Sequence, residues 1–455
     1  MKKLNEYKKT LKDKLDKKTN RFIKREFIKE QRKENDNLKI IGITGSTGKS
    51  TVAYIVHEYL KKVGYKSCLY SSCKVDSPAT FISPDNGVEI SFKSEDDLLD
   101  IIEACEAYEA DYLVLEVNER NIKKGITKDI PFTVKALTNL IPEHNLSLYS
   151  KDEYVSIKKS FFEDDDCKHV IGYQGYDKDI FNDLLNLNKD NTYNFSSEYI
   201  SKVCNINPNS FNMLLNKLET NLDGMSFSVK MNDNVLSFNS NLIFGYNALN
   251  LVCCIAVINA LDKSLFNKEA FSSLINNLKI PGRSEVYKKG ENLIVIDTHM
   301  TKALECLKDF RKRGLIDNIK VVVGSIGYGF VNWSDDFKNE EYIKRRHKIR
   351  ENAMKKLDDV DYVYLTESDS GKEDALSICK ELSSYLNEKV PRKIITNREE
   401  AINVAIKGLG KRDALLITGR GNRALLCDGE NHIRLLKDSD VLRKALKVLN
   451  KVKGE

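Results

Sequence analysis

The chain's 455 residues exceed what one ordinary hydrophobic core organises, so two or three domains of about 100–200 residues are expected. With 41% hydrophobic and 31% charged residues, and no apolar run near the roughly 20 residues of a bilayer-crossing helix, the sequence reads as neither membrane-spanning nor disordered. The net charge of +6 is uneven, because residues 1–34 carry 14 Lys/Arg against 6 Asp/Glu and the remainder is slightly acidic, which speaks against a broadly basic nucleic-acid-binding body.

In chain order, residues 1–37 form a basic arm in which Leu4, Tyr7, Leu11 and Leu15 recur at helical spacing. Such a helix either lies solvated against the next domain or makes a peripheral contact with an anionic surface such as a membrane. The opening MKKLNEYKKT has no apolar stretch of a secretory signal, and ten scattered cysteines at no metal-ligand spacing read as reduced thiols. A cytoplasmic monomer is expected.

The apolar run at residues 38–43 predicts a buried strand that ends in Thr44-Gly45-Ser46-Thr47-Gly48-Lys49-Ser50-Thr51. Val52, Ile55, Val56, Tyr59, Leu60 and Val63 then mark one face of a helix, with Gly64 as its stop. Strands at 66–71, 112–117 and 132–137, with a helix at 95–108, alternate as a mainly parallel α/β sheet does. Asn/Asp/Ser-rich text from 168 to 245 suggests smaller antiparallel elements. A helix follows at Asn247–Leu261, and Pro281-Gly282-Arg283 marks a boundary. Five further strands (293–296, 320–324, 362–365, 393–396 and 414–418) predict a second, Rossmann-like α/β domain. The expected organisation is therefore arm 1–37, phosphate-loop ATPase domain 38–283 and carboxyl-terminal domain 284–455.

The glycine-rich loop carries the chemistry. Its backbone N–H groups converge on phosphate oxygens at the amino end of a helix, Lys49 reaches the terminal phosphates, and the Ser50 hydroxyl can ligate magnesium. Ile43 stands where the strict GxxxxGK[ST] pattern has its first glycine.

TGSTGKST closely resembles the phosphate loop of the Mur ligase family, ATP-dependent ligases that join an amino acid to a carboxylate and lack that outer glycine. Thr138-Asn139-Leu140, Glu143-His144, Tyr154, Lys158 and Phe162 also match the family's tripeptide synthetases, with Glu143 in place of Asp. The resemblance implies that residues Gly45, Ser46, Thr47, Gly48, Lys49, Ser50, Thr51 and Asn139 hold ATP, and that two Mg2+ ions are bound. Ser50 would take one; Glu116 and His144 would ligate the second, supported by a carbamylated Lys158. An unmodified ammonium would repel a divalent cation, whereas a carbamate offers the hard oxygens magnesium prefers. It further implies that Asn247, in Gly245-Tyr246-Asn247-Ala248-Leu249, faces the adenine, that Arg283 approaches the phosphates, and that Asp297 meets the ribose. Taken singly, each has an ordinary reading: a strand-end carboxylate, a loop histidine, a solvated lysine, a helix cap, a surface salt bridge, a strand-end turn.

Departures from the family bear on its substrates. Only residues 1–37 precede the loop's strand, far fewer than the family's domain for a uridine-nucleotide carrier, so the carrier is held differently or is of another kind. Ser368-Asp369-Ser370-Gly371 replaces the family's DNPR, Gly419-Arg420-Gly421-Asn422-Arg423 replaces GKGHE, and DYAHTPDAL is shortened to the segment from Asp297 to Leu304. Arg423 and His299 become candidate acceptor-binding residues. Arg423 suits an acceptor carboxylate and disfavours diaminopimelate, or else pairs with a protein acid. The segment at 325–336, with the sole tryptophan Trp333, reads as a closing loop, an acceptor wall or an anchored loop.

The reading is an ATP-dependent carboxylate–amine ligase acting through an acyl phosphate, its partners an amino acid and a peptide- or carrier-linked carboxylate of a murein or pseudomurein precursor. A poly-γ-glutamate- or folylpolyglutamate-type ligase is the alternative within the class. A non-catalytic, membrane-associated nucleotide-binding scaffold is the alternative outside it.

Overall fold

The computed structural model describes residues 37–78, 94–141, 149–163, 167–232, 234–327, 340–428 and 432–453; residues 1–36 of the basic arm, Glu143-His144 and Trp333 lie outside these. Ten strands form the first sheet: β1 (Lys39–Thr44), β2 (Ser67–Tyr70), β3 (Val75–Asp76), β4 (Tyr112–Glu116), β5 (Val134–Leu137), β6 (Lys168–Gly172), β7 (Thr192–Ser197), β8 (Met213–Thr220), β9 (Met225–Met231) and β10 (Asn234–Ser240). Their order is β10-β9-β8-β7-β6-β5-β1-β4-β2-β3. β1 is central, flanked in parallel by β4 and β5. Ile40, Ile41 and Ile43 are fully buried, as a strand covered on both faces requires.

One face carries the helices Lys49–Lys62, Asn247–Leu261 and Lys268–Ile275 in a common core with Val56, Tyr59 and Phe271. All residues of Asn247–Leu261 are buried, which accounts for its lack of a polar stripe. The opposite face carries Glu95–Ala107, Lys151–Ser160 and Lys178–Asn186.

The stretch from 168 to 245 departs from the expectation of small antiparallel elements. β6 and β7 extend the parallel sheet and β8 joins β7 in parallel; only β9 and β10 are antiparallel. Two short helices, Lys178–Asn186 and Glu198–Val203, make the crossovers. The first buries just Phe181 and Leu184, so its polar majority reads as loop.

The second sheet contains β11 (Glu285–Lys289), β12 (Asn292–Asp297), β13 (Ile319–Val323), β14 (Tyr362–Leu365), β15 (Arg392–Ile394) and β16 (Ala414–Thr418), ordered β11-β12-β16-β13-β14-β15. All but β11 run parallel. A hairpin of β17 (Leu425–Asp428) and β18 (His432–Leu435) precedes the last helix, Asp438–Lys453. That helix is pinned at its first residue, since Arg398 donates to both carboxylate oxygens of Asp438 at 2.7 Å with neither side chain exposed. No helix among the described residues is long and apolar enough to cross a membrane.

Candidate active site

The phosphate loop turns between the end of β1 and the helix Lys49–Lys62. Two glycines make the turn possible. Gly45 has φ +144°, and a Cβ there would lie 2.0 Å from Thr138 Oγ1; Gly48 has φ +83°, and its Cβ would lie 2.3 Å from Asn250 Oδ1. The end of β5 holds the loop from the side. Asn139 accepts from Thr47 N at 3.1 Å and donates to Thr47 O at 3.0 Å, Ser46 N donates to Asn139 O at 3.1 Å, and Tyr154 donates its hydroxyl to Ser46 Oγ at 2.9 Å. Lys49 Nζ curls back to Gly45 O at 2.9 Å.

Beyond the loop, three oxygen-bearing side chains form a line. The Ser50 and Ser72 hydroxyls are 2.8 Å apart, and Glu116 accepts from Ser72 N at 2.8 Å, Ser72 Oγ at 3.0 Å and Ser71 Oγ at 2.7 Å. Arg283 joins this line, donating to Ser50 Oγ at 3.3 Å and Ser72 Oγ at 3.2 Å. Burial alone would raise the Glu116 carboxyl, but Lys49, the serine hydrogen bonds and Arg283 outweigh it, so the group stays ionised below its usual range. Two hydroxyls, a carboxylate and adjacent phosphate oxygens are the hard donor set that suits magnesium.

Lys158 is buried beneath β1. It donates to Thr44 Oγ1 at 2.9 Å and lies 3.5 Å from a Glu119 carboxylate oxygen. Burial first, and then Lys49, bring the amine down to about 7, against the opposing pull of Glu119 and Glu116. His144 falls outside the described residues.

On the other side of the cavity, Asn247 donates to Ser284 Oγ at 3.1 Å. Asp297 accepts from Ser284 N at 2.7 Å, Ser284 Oγ at 2.9 Å, Tyr246 OH at 2.8 Å and, through its other oxygen, His299 N at 2.7 Å. Its carboxylate organises the turn after β12. Buried and surrounded by Arg283, Lys302 and Lys49, the His299 imidazole is pushed down to about 3 and is neutral at ordinary pH. These groups and the phosphate loop enclose a cavity of about 290 Å³. Of the two candidate acceptor residues, His299 lines this cavity and Arg423 does not.

Arg423 instead donates to Asp369 at 2.7 Å, and Arg420 donates to the other oxygen of the same carboxylate at 2.6 Å. The two altered motifs thus meet each other: the acid of Ser368-Asp369-Ser370-Gly371 faces the cations of Gly419-Arg420-Gly421-Asn422-Arg423. Arg423 is drawn into a protein ion pair, the other of the two roles open to it.

Residues 43–258 match the Mur ligase middle domain, and residues 282–421 match the Mur ligase glutamate ligase domain. The chain belongs to the Mur ligase family. Its members are ATP-dependent ligases that form amide bonds. This Mur ligase is 24% identical over 426 residues to the UDP-N-acetylmuramoyl-L-alanyl-D-glutamate–2,6-diaminopimelate ligase of Buchnera aphidicola subsp. Baizongia pistaciae, covering 91% of this chain and 77% of that one. Its fold is similar to the MurF ligase from Thermotoga maritima in complex with ADP (TM-score 0.64, 17% identity, 94% of this chain and 84% of that one). It is also similar to a pseudomurein peptide ligase type C from Methanothermus fervidus (TM-score 0.58, 18% identity, 93% and 81%).

Several cavity residues escaped the sequence reading, among them Ser72, Glu119, Tyr246, Ser284 and Lys302. Tyr246 and Lys302 stood inside segments singled out for their neighbours. Ser72 and Glu119 each follow a strand of the parallel sheet, where side chains at the carboxyl ends collect around a ligand.

Proposed function

We propose that this Mur ligase joins the amine of an amino acid to a carboxylate of a cell-wall peptide precursor, converting ATP to ADP and phosphate in the cytoplasm. The observation that carries the reading is the line Ser50–Ser72–Glu116 beside Lys49 and Arg283: ionised acid, hydroxyls and cations arranged around one phosphate loop.

The donor carboxylate attacks the γ-phosphorus, ADP leaves, and the resulting acyl phosphate is opened by the acceptor amine with loss of phosphate. The activation is required because a carboxylate is a poor electrophile. The loop N–H groups and Lys49 orient the phosphates, and Arg283 adds positive charge opposite Lys49. Ser50 and Glu116 would hold magnesium, which when bound neutralises phosphate oxygens and polarises the γ-phosphorus. Asn247 and Asp297 bound the adenosine end, and His299, held neutral, lines the same cavity.

In this reading Lys158 is carbamylated and, with His144, supports the second metal position. An amine brought to about 7 is largely available as the free base that adds carbon dioxide, which supports the assignment. The test is phosphate release with ATP, magnesium, a panel of amino acids and muramyl-peptide, pseudomurein-peptide and folate donors. Release that depends on both a peptide donor and an amino acid is expected; release with folate alone selects the alternative ligase, and none with any pair rejects the reading.

A further inference from the structure

Lys302 occupies an uncomfortable position. It stands in the first turn of the helix Met300–Lys312, where the positive end of the helix dipole disfavours a cation. Its side chain leaves the second sheet's unit and crosses the cavity, where Nζ donates to Thr47 Oγ1 at 3.1 Å in the middle of the phosphate loop. The Tyr246 ring lies 5.7 Å away. A neutral hydroxyl and an aromatic face receive it, rather than a carboxylate. Burial lowers its pKa, and the acid that opposes this is Glu305, one turn along the same helix. Lys49 and Arg283 add their charges to the same cavity. A cation brought to a helix's positive end, partly withdrawn from water and lining one cavity with two other cations, is arranged for a multiply charged anion.

We propose that Lys302 is a catalytic residue of phosphoryl transfer, its ammonium engaging the γ-phosphoryl group over the phosphate loop. The proposal rests on the ATP-consuming ligase reading above. As an oxygen of the donor carboxylate bonds to the γ-phosphorus, the bond from that phosphorus to the β–γ bridging oxygen breaks and ADP keeps the electron pair. Lys302 then stands beside the equatorial oxygens where charge is spread, and Lys49 beside the β- and γ-phosphates. Because Lys302 is carried by a helix of the second unit and Lys49 by the first, the phosphates are fully clamped only when the two are docked together.

The alternative role is a tether, in which Lys302 merely ties the units through Thr47. Binding separates the two without any knowledge of donor or acceptor. Isothermal titration of the full chain with magnesium–AMPPNP and magnesium–ADP is compared for wild type, Lys302→Met and Lys302→Arg. A γ-phosphate ligand predicts that Lys302→Met weakens AMPPNP about tenfold and ADP by less than about twofold, with Arg recovering part of the loss. Donor-dependent phosphate release by Lys302→Met falls about 100-fold, the scale of one lost charge-stabilising donor. An unchanged AMPPNP-to-ADP affinity ratio, or equal weakening of both as a tether would give, overturns the proposal. Should Lys302→Met fail to fold, Lys302→Gln carries the same comparison. Failure to find any ligation product would strike the ligase reading, while the affinity ratio by itself decides between the two roles of Lys302.

Discussion

Lys158 and Glu119 lie 3.5 Å apart in a buried pocket under the phosphate loop, and the amine of the pair titrates near neutrality. The protonation state of this lysine therefore changes across the physiological range. Its pKa is lowered in the fold, so the ammonium, held by Glu119, prevails below about 7 and the free amine above it. Carbamate formation needs the free amine. Activity in bicarbonate-containing buffer is expected to rise from pH 6 to pH 8, in step with a carbamate signal in 13C NMR with labelled bicarbonate. Lys158→Ala should lose about 100-fold in rate and recover partly with added short-chain carboxylate. A Lys158→Ala variant with wild-type turnover and no carbamate signal at pH 8 would remove the assignment.

Gly45 has no room for a side chain. A Cβ would stand 2.0 Å from Thr138 Oγ1 on a backbone at φ +144°, so Gly45→Ala must shift either the loop or the end of β5. ADP binding by Gly45→Ala, measured calorimetrically, is expected to fall at least about tenfold, with a stability loss of about 1–3 kcal/mol. Gly64→Ala is the comparison. It shares a positive φ, +99°, but no atom lies within 4 Å of the added carbon, so it should lose stability without losing ADP.

Glu116→Gln keeps the side chain's shape and removes its charge. The amide can still accept from Ser71 or Ser72, so the fold should survive. The magnesium concentration for half-maximal activity should rise by about tenfold or more and kcat should fall about 100-fold. A magnesium titration of phosphate release checks this, and an unshifted midpoint would show that Glu116 does not serve the metal.

Asp369 compensates two guanidinium groups, one of them fully buried. Asp369→Ala removes the ion-pair partner of buried Arg420 and is expected to cost about 3–5 kcal/mol, read as a lowered midpoint in denaturant. Arg423→Ala removes the outer partner, whose side chain is 21% exposed, and should cost far less. If both variants melt alike, the network is not organised around Asp369.

The phosphate loop and its neighbours were the most legible part of the sequence, because their chemistry is confined to short contiguous segments. Residues 38–64 contain strand, turn and helix in one run, and the structure forms them within a residue or two of expectation. The sheet's far side was less legible. β6 and β7 carry His169, Asn194 and Ser196 at buried positions, and polar residues in a parallel strand blur its apolar run. The ion pair of Asp369 with Arg420 and Arg423 joins residues more than 50 positions apart, and no local pattern announces such a meeting. Lys302 was hidden for a different reason. Its spacing looks like that of any helix lysine, and its partner Thr47 lies 255 positions away in the chain.

The double hydrogen bond between Arg398 and Asp438 sets how far the carboxyl terminus can be trimmed. A deletion starting at residue 438 strands a guanidinium in the interior, whereas one starting a few turns later leaves it satisfied. Affinity tags and fluorescent fusions therefore belong after the final helix, and an expression product cut short at the β17–β18 hairpin should be met as inclusion bodies rather than as a smaller working enzyme.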